Sequence, residues 1–294
     1  MSVSSPPSTK RRTRRARNIG LATYLGPLSL FYLLFLVAPY LILLRMSFNR
    51  FNSLRLYTPD FTFANYSAVL TDPFYLFLIG RTIALGLVVT VVTLILGYPL
   101  ALMIARASPR MKSILLAITL SPLLINIVVR TYAWLVLLGD KGLINQWLMM
   151  SGLVSSPLTI NGTLLSVTIG LVHITLPFMV LSLMSVIQRI DHSLPEAAQS
   201  LGASSLYVMR RIILPLSLPG IGAGSLFVFC FTVSAFITPA LLGGNRVETI
   251  STFIYQKFTF AVNWPMGATL VFFLLAINLI VVALHGRLFR EHQA

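Results

Sequence analysis

Six stretches of the chain are too long, too apolar and too poor in charge to face water: approximately residues 20–44, 79–105, 113–138, 163–188, 217–242 and 266–286. A hydrocarbon core about 30 Å thick is crossed by roughly 20 helical residues, and each run reaches that length. Only Arg81, near the start of the second run, and Arg130, inside the third, bring formal charge into them. Lipid offers no partner to a free backbone N–H or C=O, so a spanning segment is either a helix or a strand of a closed barrel, and the alternation a barrel strand needs is missing. The expected fold class is therefore all-α, a polytopic membrane helical bundle of six transmembrane helices. Composition agrees: 10% of residues are charged and the mean hydropathy is +0.87, whereas soluble domains carry about a quarter charged residues.

The basic residues orient the bundle. Lys10, Arg11, Arg12, Arg14, Arg15 and Arg17 precede the first run, Arg106, Arg110 and Lys112 lie between the second and third, Arg189, Arg210 and Arg211 between the fourth and fifth, and Arg287 and Arg290 near the C-terminus. All fall on one side and outnumber those on the other two to one, so the positive-inside bias puts both termini in the cytoplasm. Residues 1–19 read as a basic cytoplasmic arm and 20–294 as the membrane domain. The net charge of +15 is explained by topology and anionic lipid, so no nucleic-acid partner is expected. The first run is longer than the apolar region of a signal peptide and lacks a small-x-small exit, so it stays as a span.

Chemistry is sparse. Cys230 is the single cysteine and lies in a span, so it closes no internal disulfide and builds no thiolate metal cage. His173, Cys230 and scattered serines on different spans form neither a nucleophile–base pair nor a metal cluster, and no metal or catalytic residue is expected. An ion-coupled secondary transporter, or a channel working without an ATPase, is the alternative class. It would place acidic side chains or an unwound segment near the midplane, and none of the seven acidic residues lies in a run.

One stretch does not fit a simple span-and-loop chain. "PEAAQSLGASSLYVMRRIILPLSLPG", Pro195 to Gly220, interrupts the apolar pattern between the fourth and fifth runs. Asp191 or Ser193 can cap a helix with Pro195 and Glu196 in its first turn, and Gly202 can close it in the left-handed conformation. Glu196 then sits at the positive end of that helix. Ser204 or Ser205 can cap a second short helix through Ile212, which Leu214, Pro215 and Pro219 end before the fifth span. Ala197 and Ala198 leave the first helix a face with little side chain, open to close approach by another protein. The same features also describe an interfacial amphipathic helix.

These residues resemble the E-A-A, three residues, G, nine residues, I-x-L-P motif of the inner-membrane permease subunits of bacterial ATP-binding-cassette importers. "FTFANYSAVL", "LGYPLALMIAR", "VRTYAWLVLLGDKGLIN", "GLVHITLPFMVLSL", "FITPALLGG" and "NWPMGA" are similar to the spermidine/putrescine branch of that family, and the likeness covers nearly everything beyond the N-terminal arm. The resemblance implies a cytoplasmic coupling-helix loop between spans four and five. In it Glu196, Ala197, Ala198, Gly202, Ala203, Ile212, Leu214 and Pro215 would engage an ATPase. It implies as partners a dimer of ATP-binding-cassette ATPase subunits, a second and usually different permease chain, and a periplasmic substrate-binding protein, beside membrane lipid. It implies location in the bacterial inner membrane and import of a polyamine or a related amine or amino-acid-like solute. The chain has no G-x-x-x-x-G-K-[ST] phosphate cradle, so no cofactor is expected in it, and ATP and Mg would bind the ATPase.

Within the membrane, Arg130 demands a partner. A charge there costs at least about 2.5 kcal/mol on insertion scales, and it lies roughly 12 Å below the end of its run at 1.5 Å per residue. It either bonds to carbonyls or snorkels outward, or it lines a translocation path or subunit interface, with Asn126 one turn earlier on the same face. His173, in the middle of the fourth run, is a packed histidine or a further path residue. Pro177 can kink that helix. Gly220 and Gly224, four apart, favour close helix contact.

Overall fold

In the computed structural model, residues 26–290 are described except 28, 192 and 245. The basic arm and residues 20–25 of the first run lie outside them. Four helices are long and apolar enough to cross a membrane singly: α1 (Ser29–Ser47), α3 (Pro73–Arg106), α7 (Leu164–Ile187) and the last helix, α13 (Trp264–Arg290), up to Arg287. Two more crossings arise if each of two bent pairs counts as one. These are Pro109–Leu124 with α5 (Ile127–Leu137), bent by 97°, and α9 (Ser205–Leu216) with α10 (Leu218–Ser234), bent by 64°. The helical bundle is as expected, but the third and fifth runs are not straight spans.

The physical reasons are local. In the third run α4 (Pro109–Leu120) tightens into a 3₁₀ turn over Ser121–Leu124 and the chain becomes extended at Ile125. Pro122 has no N–H for a helical ladder, and Asn126 starts the next helix by accepting from the Val128 N–H. The fifth run ends as a long helix at Ser234, turns extended at Ala235 and resumes as the short α11 (Ile237–Leu242). An unbroken helix would need a Pro239 N–H to reach Ala235; in the third position of a new helix that donor is not missed. α9 also corrects an expectation, because Pro215 does not stop it. The helix widens into a π-type turn over Met209–Ile213, passes Pro215 and breaks at Ser217.

The segment after α1 folds back as a small antiparallel hairpin, β1 (Arg50–Asn52) with β2 (Leu56–Thr58), followed by α2 (Ala64–Thr71). Asp72 then caps α3 by accepting from Phe74 N–H. With 34 residues, α3 is about 50 Å long at 1.5 Å per residue and projects beyond the hydrocarbon. Arg81, near its N-terminal end, donates to the Arg246 carbonyl at 2.6 Å and lies over the Phe77 ring. Between the spans lie α6 (Leu143–Met150), α8 (Ser193–Ser200) and α12 (Ile250–Thr259), the last started by a reciprocal Thr249–Thr252 capping box.

The core is the meeting of α3, α7 and α10, filled by Leu85, Val89, Ile104, Leu171, Met179, Leu183 and Val228. Glycines set the separation. A Cβ on Gly224 would lie 2.6 Å from Met179 Sδ, and one on Gly220 3.1 Å from the Ser182 carbonyl. The four-residue spacing thus does bring α10 against α7. A second cluster, with Val69, Leu78, Ile250 and Leu270 fully or nearly buried, ties α2, α12 and α13 to the N-terminal end of α3. By contrast, α1 exposes apolar side chains from Leu30 to Ile42, a surface for lipid or another chain.

Candidate functional site

The loop between α7 and α10 is built from capped turns. The Asp191 carboxylate accepts from the Ser193 N–H at 2.9 Å, and Glu196 is exposed in the first turn of α8. At the other end Gly202 has φ +87°. The Ala203 N–H reaches the Ala198 carbonyl at 3.0 Å and the Gly202 N–H reaches Gln199 at 2.9 Å. That pair of bonds is the Schellman closure, which satisfies the last carbonyls of α8 and needs a residue at ease in the left-handed region. Ser204, rather than Ser205, then caps α9 by accepting from the Tyr207 N–H at 3.3 Å.

The outcome is a stiff elbow with an open groove of about 570 Å³ along Ala198, Leu201, Gly202, Ala203, Ser204 and Tyr207. Ala197 and Glu196 are exposed beside it, while Ile212 is half-buried and Leu214 and Pro215 are exposed on the return towards the bundle. Two members of the groove were missed in the sequence. Leu201 is 90% exposed and Tyr207 55%, so a large aliphatic and a large aromatic side chain flank the small-residue face. The available signal was a leucine directly before the helix-closing glycine, where a water-facing helix end has no use for it.

The elbow is tied to the bundle at Ser217, which is fully buried. Its Oγ donates to the Leu214 carbonyl at 2.9 Å and meets the Tyr98 hydroxyl of α3 at 2.9 Å.

The intramembrane residues form no single cluster. Arg130 is 8% exposed and its guanidinium donates to the Pro122 carbonyl across the bend. Asn126 is exposed and its side chain is used as the α5 cap. Asn126 is the N-cap of α5, and its carbonyl accepts from the Arg130 N–H at 3.0 Å, while Arg130 itself is buried. His173 accepts at Nδ1 from Trp134 Nε1 at 3.0 Å, with the rings edge to face at 5.4 Å. This bond makes Nδ1 the unprotonated nitrogen of a neutral imidazole. Among the described residues no group of three or more His, Cys, Asp or Glu side chains is placed to hold a metal ion.

The fold is a helical membrane bundle with a capped elbow between two spans. Residues 97–291 match the family described as binding-protein-dependent transport system inner membrane component, and the chain belongs to that family. It is 34% identical to the spermidine/putrescine transport system permease protein PotB of Haemophilus influenzae (strain ATCC 51907 / DSM 11121 / KW20 / Rd), over 86% of this chain and 88% of the relative. It is 36% identical to PotB of Escherichia coli (strain K12), over 80% and 85%. A solved bacterial alginate ABC transporter, in complex with an alginate pentasaccharide-bound periplasmic protein, superposes with a TM-score of 0.78 at 20% identity, covering 95% of this chain and 96% of that one. The chain is thus a multi-pass inner-membrane permease subunit of a transport system, similar to the spermidine/putrescine permeases.

Proposed function

We propose that the chain forms half of the translocation pathway of an ATP-driven importer, pairs with a second permease chain, and receives a polyamine such as spermidine or putrescine from a periplasmic binding protein. ATP and Mg are bound by a cytoplasmic ATPase dimer, into which α8 and the start of α9 dock. The observation that carries this reading is the Schellman-closed α8 with its small face between Leu201 and Tyr207. A lever has to be stiff, and a helix fixed at both ends transmits displacement that a flexible loop would absorb. The substrate class comes from the PotB relatives. The described spans carry no carboxylate to attract a polycation, so selection would rest with the binding protein or the partner permease.

The test is reconstitution of the permease pair with its ATPase in proteoliposomes. Spermidine uptake should require both the loaded binding protein and ATP on the ATPase side. Uptake driven by an ion gradient without ATP would overturn the reading in favour of a secondary transporter. Orientation is checked separately: a reporter fluorescent only in the cytoplasm should light at Ala294 and stay dark when inserted at Tyr57.

A further inference from the structure

A second recess lies behind the elbow, on the bundle side. It is a cavity of about 250 Å³ whose wall includes Ala105, Arg106, Lys112, Gln188, Pro195 and Ile213. Arg106 is the last residue of α3 and Lys112 stands in the first turn of α4. Among the described residues neither cationic group has a carboxylate or hydrogen-bond partner. The C-terminal ends of α3 and α7 reach the same wall, and each contributes about half a negative charge. The positive N-terminal ends of α4 and α8, whose first turns hold Lys112 and Pro195, offset them, so the recess stays net positive.

We propose that this recess binds the phosphodiester of an anionic phospholipid headgroup. An anionic group matches that charge. The height fits lipid better than a soluble anion, because Arg106 ends a long apolar helix and the chain turns back into α4 within three residues. Apolar surface for acyl chains is present beside both cations. Met103, three residues before Arg106 on the same face of α3, is 51% exposed, and Met111, next to Lys112, is 50% exposed. Since Pro195 of α8 forms part of the wall, a bound headgroup would brace the elbow against the two span ends. The proposal does not depend on what α8 docks against.

The experiment uses the full permease assembly, purified with its partner subunits and placed in nanodiscs of phosphatidylcholine containing increasing phosphatidylglycerol. Retained phosphatidylglycerol is read by native mass spectrometry after release. Wild type should hold it at low mole fraction. Arg106→Gln with Lys112→Gln should weaken retention by about fivefold per cation removed, whereas Arg106→Lys with Lys112→Arg should retain it. Equal retention by wild type and the double glutamine variant would overturn the proposal. So would displacement of the lipid by millimolar inorganic phosphate, which would make the ligand a soluble anion. Loss of the ATPase from the double glutamine variant in pure phosphatidylcholine would also overturn it, by making the recess a protein contact.

Discussion

The hydroxyl of Tyr98, on α3, lies 2.9 Å from the Oγ of Ser217, the buried residue at which α9 turns into α10. The bond joins the central helix of the core to the joint of the elbow, so a push on α8 has a polar link into α3 as well as a covalent one into α10. Polar bonds of this kind inside membrane bundles average about 0.6 kcal/mol. Tyr98→Phe and Ser217→Ala should each lower thermal stability slightly, and the double variant should be no worse than the poorer single one. Double-mutant cycles on the purified protein check this. Additive losses would mean that the two hydroxyls do not interact.

Gly202 holds φ +87° with nothing within 4 Å of a would-be Cβ. Space is therefore not the issue; backbone conformation is. Val at this position should cost on the order of 1 to 3 kcal/mol of local strain, while Asn, which tolerates the left-handed region, should be milder. Neither change touches a span, so membrane levels should match wild type. Uptake should fall in the order Gly, Asn, Val, measured alongside ATPase co-purification. Equal uptake by Gly202→Val would remove the closure of α8 from the mechanism.

Leu201 offers a cleaner separation of docking from folding. A side chain 90% exposed contributes almost nothing to the stability of the isolated permease, whereas burial against a partner is worth about 1.5 to 3 kcal/mol. Leu201→Asp should leave the unfolding temperature of the permease unchanged and reduce ATPase co-purification by at least tenfold. Glu196→Lys, exposed in the first turn of α8, should act in the same direction through charge. Stable complexes with both variants would show that the groove is not the docking face.

Much of this architecture was legible because the bilayer imposes one length and one polarity rule. The fourth run, 163–188, emerged as Leu164–Ile187, and the helix–glycine–helix elbow was readable from caps alone. What escaped were features set by tertiary geometry. A hydropathy window counts Leu124 and Ile125 as membrane residues and cannot register the bend that Pro122 and Asn126 make there. The Tyr98–Ser217 and Trp134–His173 bonds join residues 119 and 39 positions apart, and no local pattern encodes such pairs. The basic residues lining the second recess were visible as topology signals, but their convergence was not.

Arg130 ties together the two arms of the bend in the third crossing. Read from the sequence, it could line a path; in the fold its guanidinium is buried and bonded to the Pro122 carbonyl on the far side of the bend. A charged donor on a carbonyl contributes about 1.5 to 3 kcal/mol, and that carbonyl lies in the tight turn preceding α5. Arg130→Leu removes the charged donor and leaves that carbonyl only the long 3.4 Å bond from the Ile125 N–H, so the third crossing should loosen at its bend. The expected outcome is a lower unfolding temperature and reduced folded protein in the membrane, with uptake per folded molecule close to wild type. Arg130→Lys, which keeps one charged donor on a shorter reach, should recover part of the stability. Normal folding and stability of Arg130→Leu with abolished uptake would instead assign the residue to the translocation path, and the Pro122 bond would be incidental.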